Sequence, residues 1–592
     1  MGKNGMRPLL GEGTWQRLLA QSGLAAARRG MLWRDALAGI SVCVVLVPAC
    51  VAYAELAGMP PQSGLYTALA GMLVYALLGS SRHVIVGPDA ALALLVVAAV
   101  TPLAGGDPLQ YAFLAAQLAV LVGILMLLAA KARLGAVADL LSKPVLLGFM
   151  NGAALILIAS QLGKFTGLRL QQDDFFPRLL ELVSRWQEIA PATAFTGGVA
   201  LFVLLLLRQW RPNFPGALPV FVLAILAGYL LRLDQHGVLL LGTLPTGIPM
   251  LRWPEFAPAH LATLLPAAAG IALLAMPEGI LLARAFARKN GYEIEPNREL
   301  AALGVANIAA GCLQGFALGA SQSRTAINDA SGCRSAVSGL VAAGLLLLFL
   351  LFLSDSLRFL PAPALSAILI AAGLGLIDLH AVRSMYRVDR TAAMFSLITT
   401  AGVLVVGVLP GIIVGILLSL AYLIRFMSRP FDAVLSNVEG RKGFHDAGDP
   451  DMSGHSRYLQ GLLVYRFYAP LLFANSTFFF DRIAQLVADD GDTRWVLIDA
   501  QAITFLDVTA AEQLLALNRM LEEAGIDLKF ARCNRPLREA LDRYGVTAAI
   551  GADSFYAHVH DAIEDYRQLY PDVQPELVPT LGWDGVERRR ER

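Results

Sequence analysis

From about Trp33 to about Phe426 apolar residues fill the chain in long runs, separated by short polar or Gly- and Pro-containing joints. A run that crosses a bilayer needs about 20 residues, and with short loops the region has room for about 14 of them. The pattern places segments near 33–54, 63–79, 85–101, 110–130, 136–164, 192–208, 216–232, 261–286, 297–314, 322–331, 335–354, 363–378, 391–408 and 410–427. The segments beginning near Ile85 and Gln322 are poor full spans, because Gly87-Pro88 interrupts one and a run of Gly and Ser the other. After Arg429 the pattern changes. Residues 436–455 (SNVEGRKGFHDAGDPDMSGH) are polar and Gly-containing and read as a linker.

From Gln460 buried strands and amphipathic helices alternate. LLVYRF (462–467), WVLID (495–499) and DLKFAR (527–532) read as strands. STFFFDRIAQLVAD and TAAEQLLALNRMLEEAG read as helices, as do stretches near 535–543 and 555–568. The expected organisation is an N-terminal cytoplasmic segment (1–30), a polytopic α-helical membrane domain (31–430), a linker (431–458), a small α/β domain (459–570) and a disordered tail (571–592). The tail is Pro-rich and then Arg-rich, which fits a solvated end or a contact with lipid headgroups.

Composition supports the membrane reading. The 592 residues are 56% hydrophobic and 16% charged, with a mean hydropathy of +0.59. Soluble domains carry about 25% charged residues. A net charge of +1 gives no reason to expect nucleic acid. The five scattered cysteines have no metal or redox spacing and read as apolar packers. The first 30 residues hold basic side chains but no apolar stretch followed by a cleavage site, so the first apolar run is expected to be retained as a span.

Basic residues set the orientation. With the N-terminus in the cytoplasm, the even-numbered segments exit into loops holding Arg82, then Lys131 and Arg133, then Arg208 and Arg211. The later exits hold Arg284, Arg288 and Lys289, then Arg383, Arg387 and Arg390, then Arg425 and Arg429. The opposite loops hold fewer (Arg178, Arg185, Arg232, Arg252), interleaved with acids. Both termini are therefore expected in the cytoplasm of a multi-pass inner-membrane protein.

Irregular backbone at bilayer depth is tolerated only against protein or a water-filled cavity, so the two broken segments are where a substrate site is sought. In SRHVIVGPDAALALL (81–95), Pro88 suits the first turn of a half-helix. In GFALGASQSRTAIND (315–329), Ser321 or Ser323 can cap a second. Two helix N-termini meeting at mid-membrane make an anion site out of free amides and partial positive charge. Breaks in corresponding positions of two halves are the mark of inverted-repeat transporters.

Arg324 falls in the first turn of the second half-helix. A membrane-embedded Arg costs about 2.5–3.5 kcal/mol, so it needs a partner or a task. It serves the anion, or pairs with Asp329, Asp89 or Glu278. Glu278, inside an apolar run, must be neutral or matched to a cation, which suggests coupling to a proton or sodium ion, with a structural hydrogen bond as the alternative. In the soluble part, LDVTAAE (506–512) begins a helix for which Thr509 is placed as N-cap and Glu512 as its capping-box partner. No nucleophile–base spacing, phosphate loop or metal cluster points to an enzyme or a cofactor.

Several stretches together resemble the SulP family of anion permeases. They are PPQSGLYTALAGMLVYALLGSSRHVIVGPDAA (60–91), NGYEIEPNRELAALGVAN (290–307), SQSRTAINDASG (321–332), MYRVDR (385–390) and LLVYRFYAPLLFANSTFF (462–479). DAQAITFLDVTAAEQL (499–514) resembles the STAS domain that ends those proteins. The resemblance implies 14 segments in a 7+7 inverted repeat, with a mobile core and a gate, a homodimer, and elevator-like alternating access. It places the anion between the third and tenth segments, contacted from the first. Carried across, the binding residues are Tyr53, Pro88, Asp89, Ala90, Ser321, Ser323, Arg324 and Thr325.

Many relatives have Pro-Gln where this chain has Pro48-Ala49, so a selecting amide is absent. Glu278 matches a position that is acidic in many cation-coupled prokaryotic members. In related anti-sigma-factor antagonists the residue in the place of Thr509 is phosphorylated. The expected function is secondary active transport of a small inorganic anion, sulfate first, by proton or sodium symport. The alternatives are a bicarbonate or C4-dicarboxylate symporter, an anion exchanger, and an uncoupled conductor. A nucleobase transporter or a membrane sensor are further readings; Arg324 argues against the first, and the second requires no flux.

Overall fold

The computed structural model describes residues 32–135, 143–172, 174–210, 216–242, 247, 251–254, 258–438, 444–446, 455–573 and 575–579. They form two compact units, Met1–Ser419 and Leu420–Arg592. The expected segment at 1–30 lies outside the described residues.

Each apolar segment of the sequence becomes a helix. The first half gives α1 (Leu32–Leu56), α2 (Pro61–Leu78), α3 (Ala90–Ala104), α4 (Pro108–Lys131) and α5 (Lys143–Thr166). After a short helix α6 (Phe175–Ser184) come α7 (Pro191–Trp210) and α8 (Ala217–Leu230). The second half gives α9 (Pro258–Lys289), α10 (Pro296–Cys312), α11 (Gln322–Ala330), α12 (Val337–Phe352) and α13 (Ala362–Leu376). After another short helix, α14 (Leu379–Val388), come α15 (Arg390–Val406) and α16 (Val408–Ser428). Among the described residues six helical stretches are long and apolar enough to cross a membrane. The short helices α6 and α14 do not stand out in the hydrophobic pattern, because each is amphipathic and only ten residues long. They leave Phe176, Leu180 and Val183, and Leu379, Tyr386 and Val388, exposed, as helices lying in a bilayer interface do.

The helices sort into two bundles. α1–α4 pack with α9–α12, while α5, α7, α8, α13 and α15 pack together, with α16 against α5 and α15. Contacts come in matched sets. α1 meets α12 as α9 meets α4; α2 meets α12 as α10 meets α4; α1 meets α11 as α9 meets α3; α7 meets α13 as α15 meets α5. α2 with α10 and α5 with α13 are self-matched. Two halves related by inversion would produce this pattern.

Small residues allow the closest crossings, because lipid gives helices no hydrophobic reason to associate and packing must do it. A Cβ at Gly304 of α10 would lie 2.8 Å from the Gly123 carbonyl of α4, and one at Gly123 would lie 2.4 Å from the Gly304 carbonyl. Between the bundles, Lys164 Nζ of α5 sits 2.5 Å from Glu55 Oε1 of α1.

In the second unit, β6 (Leu462–Phe467), β7 (Trp495–Asp499), β8 (Asp527–Ala531) and β9 (Phe555–Tyr556) are parallel neighbours in that order. α17 (Ser476–Asp490), α18 (Val508–Glu523), α19 (Arg535–Arg543), α20 (Val546–Ile550) and α21 (Val559–Leu569) complete it. The strands are apolar over most of their length because both faces are covered, with Arg466, Asp499, Asp527 and Lys529 as the charged exceptions. Tyr465, Ile498 and Phe530 pack with Phe479, Leu514 and Leu537 in one layer, and Trp495 and Leu497 pack with Ile563 and Tyr566 in the other.

Three expectations are corrected here. The stretch taken as a linker carries β3 (Asp432–Val438), β4 (Phe444–Asp446) and β5 (His455–Leu459); β3 pairs antiparallel with β6, so the sheet begins at Asp432. Ladder hydrogen bonds outweigh the polar, loop-like side chains there. The helix expected from 555 starts at Val559, because Phe555 and Tyr556 pair with β8. Within the tail, β10 (Pro575–Pro579) pairs with β5, and residues 580–592 lie outside the described residues.

Replacing Gly304 by Leu should lower the apparent unfolding temperature in detergent. Overpacking at a closed backbone crossing costs about 1–3 kcal/mol or more, and a thermal melt against the parent chain measures it.

Candidate anion site between two broken helices

The two breaks meet. Val86–Gly87 (β1) and Gly319–Ala320 (β2) form a two-residue antiparallel ladder, Val86 opposite Ala320 and Gly87 opposite Gly319. The Ser321 amide extends the pairing to the Ile85 carbonyl at 2.9 Å. Side chains serve the backbone groups that the ladder leaves over. Thr325 Oγ1 accepts from the Ile85 amide at 3.0 Å, and Asn328 Nδ2 donates to the His83 carbonyl at 2.8 Å. Asn307 grips Leu318 from both sides, accepting its amide at 2.9 Å and donating to its carbonyl at 3.1 Å. Thr67 Oγ1 accepts from the Phe316 amide at 3.0 Å. Gly315 is required at its position, since a Cβ there would sit 2.3 Å from Thr67 Oγ1.

From this crossing α3 and α11 start in adjacent places. α3 begins at Ala90, with Asp89 as N-cap; its Oδ1 accepts from the Ala91 amide at 3.0 Å. Pro88, expected in the first helical turn, precedes the cap, because a carboxylate that can bind the Ala91 amide is the better cap. At α11, Ser321 holds the N-cap position without a side-chain capping bond, and its hydroxyl lies 3.5 Å from that of Ser323.

Arg324 is 2% exposed, a rare burial for a guanidinium. Its Nη2 donates to the Pro88 carbonyl at 2.7 Å, and its buried Nε has no hydrogen-bond partner. Asp329, one of the carboxylates considered as its partner, is engaged elsewhere, with Lys289 Nζ at 2.6 Å and Asn290 Nδ2 at 2.7 Å. Asp89 lies within electrostatic reach of Arg324, and Glu278 within reach of Asp89. Glu278 sits half-buried on α9, after Pro277, and no hydrogen bond engages it among the described residues.

A cavity of about 250 Å³ adjoins the crossing. Ser323 and Arg324 line it with Tyr53, Ala49 and Ala52 of α1, and Leu204, Leu205 and Arg208 of α7, Ile368 and Leu369 of α13 complete much of the wall. Thus Tyr53, Ser323 and Arg324 share one cavity. Thr325 is fully buried with its hydroxyl on Ile85, and Ala90 is buried at the start of α3. Ala49 also faces this space.

Sequence reasoning passed over two residues. Gln322 stands exposed as the first residue of α11. Arg208 lines the cavity, makes no hydrogen bond or ion pair among the described residues, and in the sequence is only one basic residue at the end of an apolar run.

In the second unit Thr509 is not the cap of α18. Asp507 is, its Oδ1 accepting from the Ala510 amide at 2.8 Å and its Oδ2 from the Phe473 amide at 2.7 Å. Two amides from separate segments favour the ionised side chain over a hydroxyl, and Thr509 is left exposed in the first turn. Burial pushes the Cys533 thiol up to about 12, so it stays protonated and inert.

Comparison with known proteins gives a consistent result. The description "Sulfate permease family" matches residues 32–399 and "STAS domain" matches residues 455–562. The chain is 38% identical over 542 residues to a probable sulfate transporter of Mycobacterium tuberculosis, covering 91% of this chain and 96% of that protein. It is 31% identical over 548 residues to a chloroplastic sulfate transporter of Arabidopsis thaliana, covering 90% and 79%. Its fold matches that of murine solute carrier 26 family member A9 in the inward-facing state, with a TM-score of 0.87, 19% identity and 96% of each chain covered. The transmembrane domain of a cyanobacterial bicarbonate transporter matches with a TM-score of 0.58 and 22% identity, over 67% of this chain and 98% of that one.

Thr325→Val removes the acceptor for the buried Ile85 amide without changing side-chain volume much. An unsatisfied buried amide costs about 1–3 kcal/mol, so the variant should melt at a lower temperature in detergent. An unchanged melt would show that the amide finds another partner.

Proposed function

We propose, from the premise that the chain belongs to the sulfate permease family and ends in a STAS domain, that it carries small inorganic oxyanions, sulfate first, across a cell membrane by cation-coupled secondary transport. The observation that carries the reading is Arg324. It is a buried guanidinium with an unpartnered Nε, at the uncapped start of a half-helix, on the wall of a cavity. Such a group fits a bound anion better than any other occupant, because the low dielectric around it strengthens the attraction and the free amides of α11 add to it. Ser323 and Tyr53 offer hydroxyls to the same space.

Inward movement of a dianion works against an inside-negative potential by about 4.6 kcal/mol per 100 mV, at about 2.3 per charge. A coupling cation removes that opposition, and Glu278 is the carboxylate placed to bind it. Elevator-type movement is supported by the boundary between the bundles, where the cavity walls are mostly short apolar side chains that can slide. Arg208, at the end of α7 that the basic loops put in the cytoplasm, supports a cavity open to that side. A homodimer and a phosphorylated Thr509 belong to the same reading. Ala49 on the cavity wall favours a second one, bicarbonate or a small dicarboxylate, since it withholds an amide that would help hold a tetrahedral oxyanion.

Uptake into proteoliposomes across sulfate, bicarbonate, chloride, nitrate and small dicarboxylates, with imposed pH or sodium gradients, tests the proposal. Arg324→Ala should abolish uptake of the preferred anion; undiminished uptake would remove Arg324 from the site. Glu278→Gln should lower accumulation driven by a cation gradient while sparing anion exchange, and equal accumulation would refute its coupling role.

A further inference from the structure

The two helix starts at the site are not equivalent. At α11 the first-turn amides have no side-chain cap, whereas at α3 the Asp89 carboxylate already holds the Ala91 amide at 3.0 Å. An anion supplied by the chain itself therefore occupies one of the two places where a substrate anion is stabilised. That carboxylate also lies within reach of Arg324, whose one hydrogen bond goes to the carbonyl of the preceding residue, Pro88.

The groups facing Asp89 can be named element by element. Arg324 comes from α11, Glu278 from α9 and Tyr53 from α1. Of the other helices packed on α3, α4 carries only Tyr111 and the terminal Lys131, and α5 only Lys143 and Lys164 near its ends. With every group ionised, the Arg324 guanidinium faces two carboxylates, a net charge of −1 that a dianion would bring to −3, before the positive charge of Arg208 on the opposite cavity wall.

We propose that Asp89 is a built-in counter-ion that must take up a proton before the substrate anion can bind. This rests on the reading of Arg324 as the anion's ligand. The proton comes from the solution on the side to which the cavity opens. Neutral Asp89 still accepts the Ala91 amide through its carbonyl oxygen, so α3 keeps its cap while Arg324 is released to the substrate. Asp89 then acts with Glu278: when both are neutral, two protons accompany one dianion, so the cluster carries −1 both empty and loaded and the full cycle moves no net charge.

The test compares Asp89→Asn with the parent chain in the proteoliposome assay, reading the KM for sulfate between pH 5.5 and 8.5, about the range over which vesicles are stable. Asn caps helices as well as Asp does, so α3 should remain intact, and Asp89→Ala separates loss of the cap from loss of the charge. In the parent the KM should rise with pH, approaching about tenfold per unit once Asp89 has lost its proton. In Asp89→Asn the KM should stay near the parent's low-pH value at every pH. In Glu278→Gln the pH dependence of the KM should persist.

A pH-independent KM in the parent, a pH profile of Asp89→Asn that parallels the parent's, or an Asp89→Asn KM raised at every pH would each overturn the proposal. Absence of uptake or binding of any anion by the parent chain would instead overturn the transport reading. The two failures are therefore distinct.

Discussion

Backbone broken at bilayer depth exposes amides and carbonyls that have no water to bond with, and this chain breaks two segments. The solution is to cross them. The ladder between Val86–Gly87 and Gly319–Ala320 satisfies part of the loose backbone, and Asn307, Asn328, Thr67 and Thr325 satisfy more of it. Gly315 and Gly319 are the thin points that let these elements approach, since a Cβ at either would lie within 3 Å of a neighbouring side chain. Everything at the site follows from this crossing. It makes α3 and α11 begin side by side, and it holds the Pro88 carbonyl where Arg324 can reach it.

The charges at the crossing form one system. Arg324 is the positive group, Asp89 caps the opposing half-helix, and Glu278 approaches Asp89 from α9. These groups come from three helices of one bundle, so that bundle alone would hold an anion bound to them. The other bundle contributes chiefly apolar wall, from Leu204, Leu205, Ile368 and Leu369. That wall meets the charged, cross-braced site mostly through dispersion contacts, while Lys164 and Glu55 pair across the boundary.

The soluble unit is organised around different physics. Its parallel strands are buried on both faces, and at their C-terminal ends Asp499, fully buried, accepts Arg466 Nε at 2.6 Å and Arg532 Nε at 2.8 Å. A carboxylate without those partners would be costly there. Near that edge Asp507 accepts one amide of α18 and one from Phe473 in the loop before α17, which fixes the first turn and leaves Thr509 at the surface.

Much of the fold was legible in the linear pattern. Apolar run length marked the membrane helices, the Gly-Pro and Gly-Ser interruptions marked both half-helices, and the alternation of apolar strands with amphipathic helices marked the small α/β unit. These are signals that neighbours in sequence carry by themselves. The amphipathic helices α6 and α14 escaped because ten residues of mixed character look like loop, and β3–β5 escaped because strand pairing depends on a partner remote in sequence.

The interrupted segments at Gly87 and Ser323 were visible in the sequence from the start, since Gly, Pro and Ser determine helix breaks locally. Only the tertiary structure decided that Arg324 binds the Pro88 carbonyl, that Asp329 is taken by Lys289 and Asn290, and that Asp89 seals one of the two helix starts. Except for the Asp89 cap, which is local, these partners come from separate segments, Pro88 being 236 residues from Arg324 and Lys289 40 from Asp329, and no local pattern encodes the distances between them.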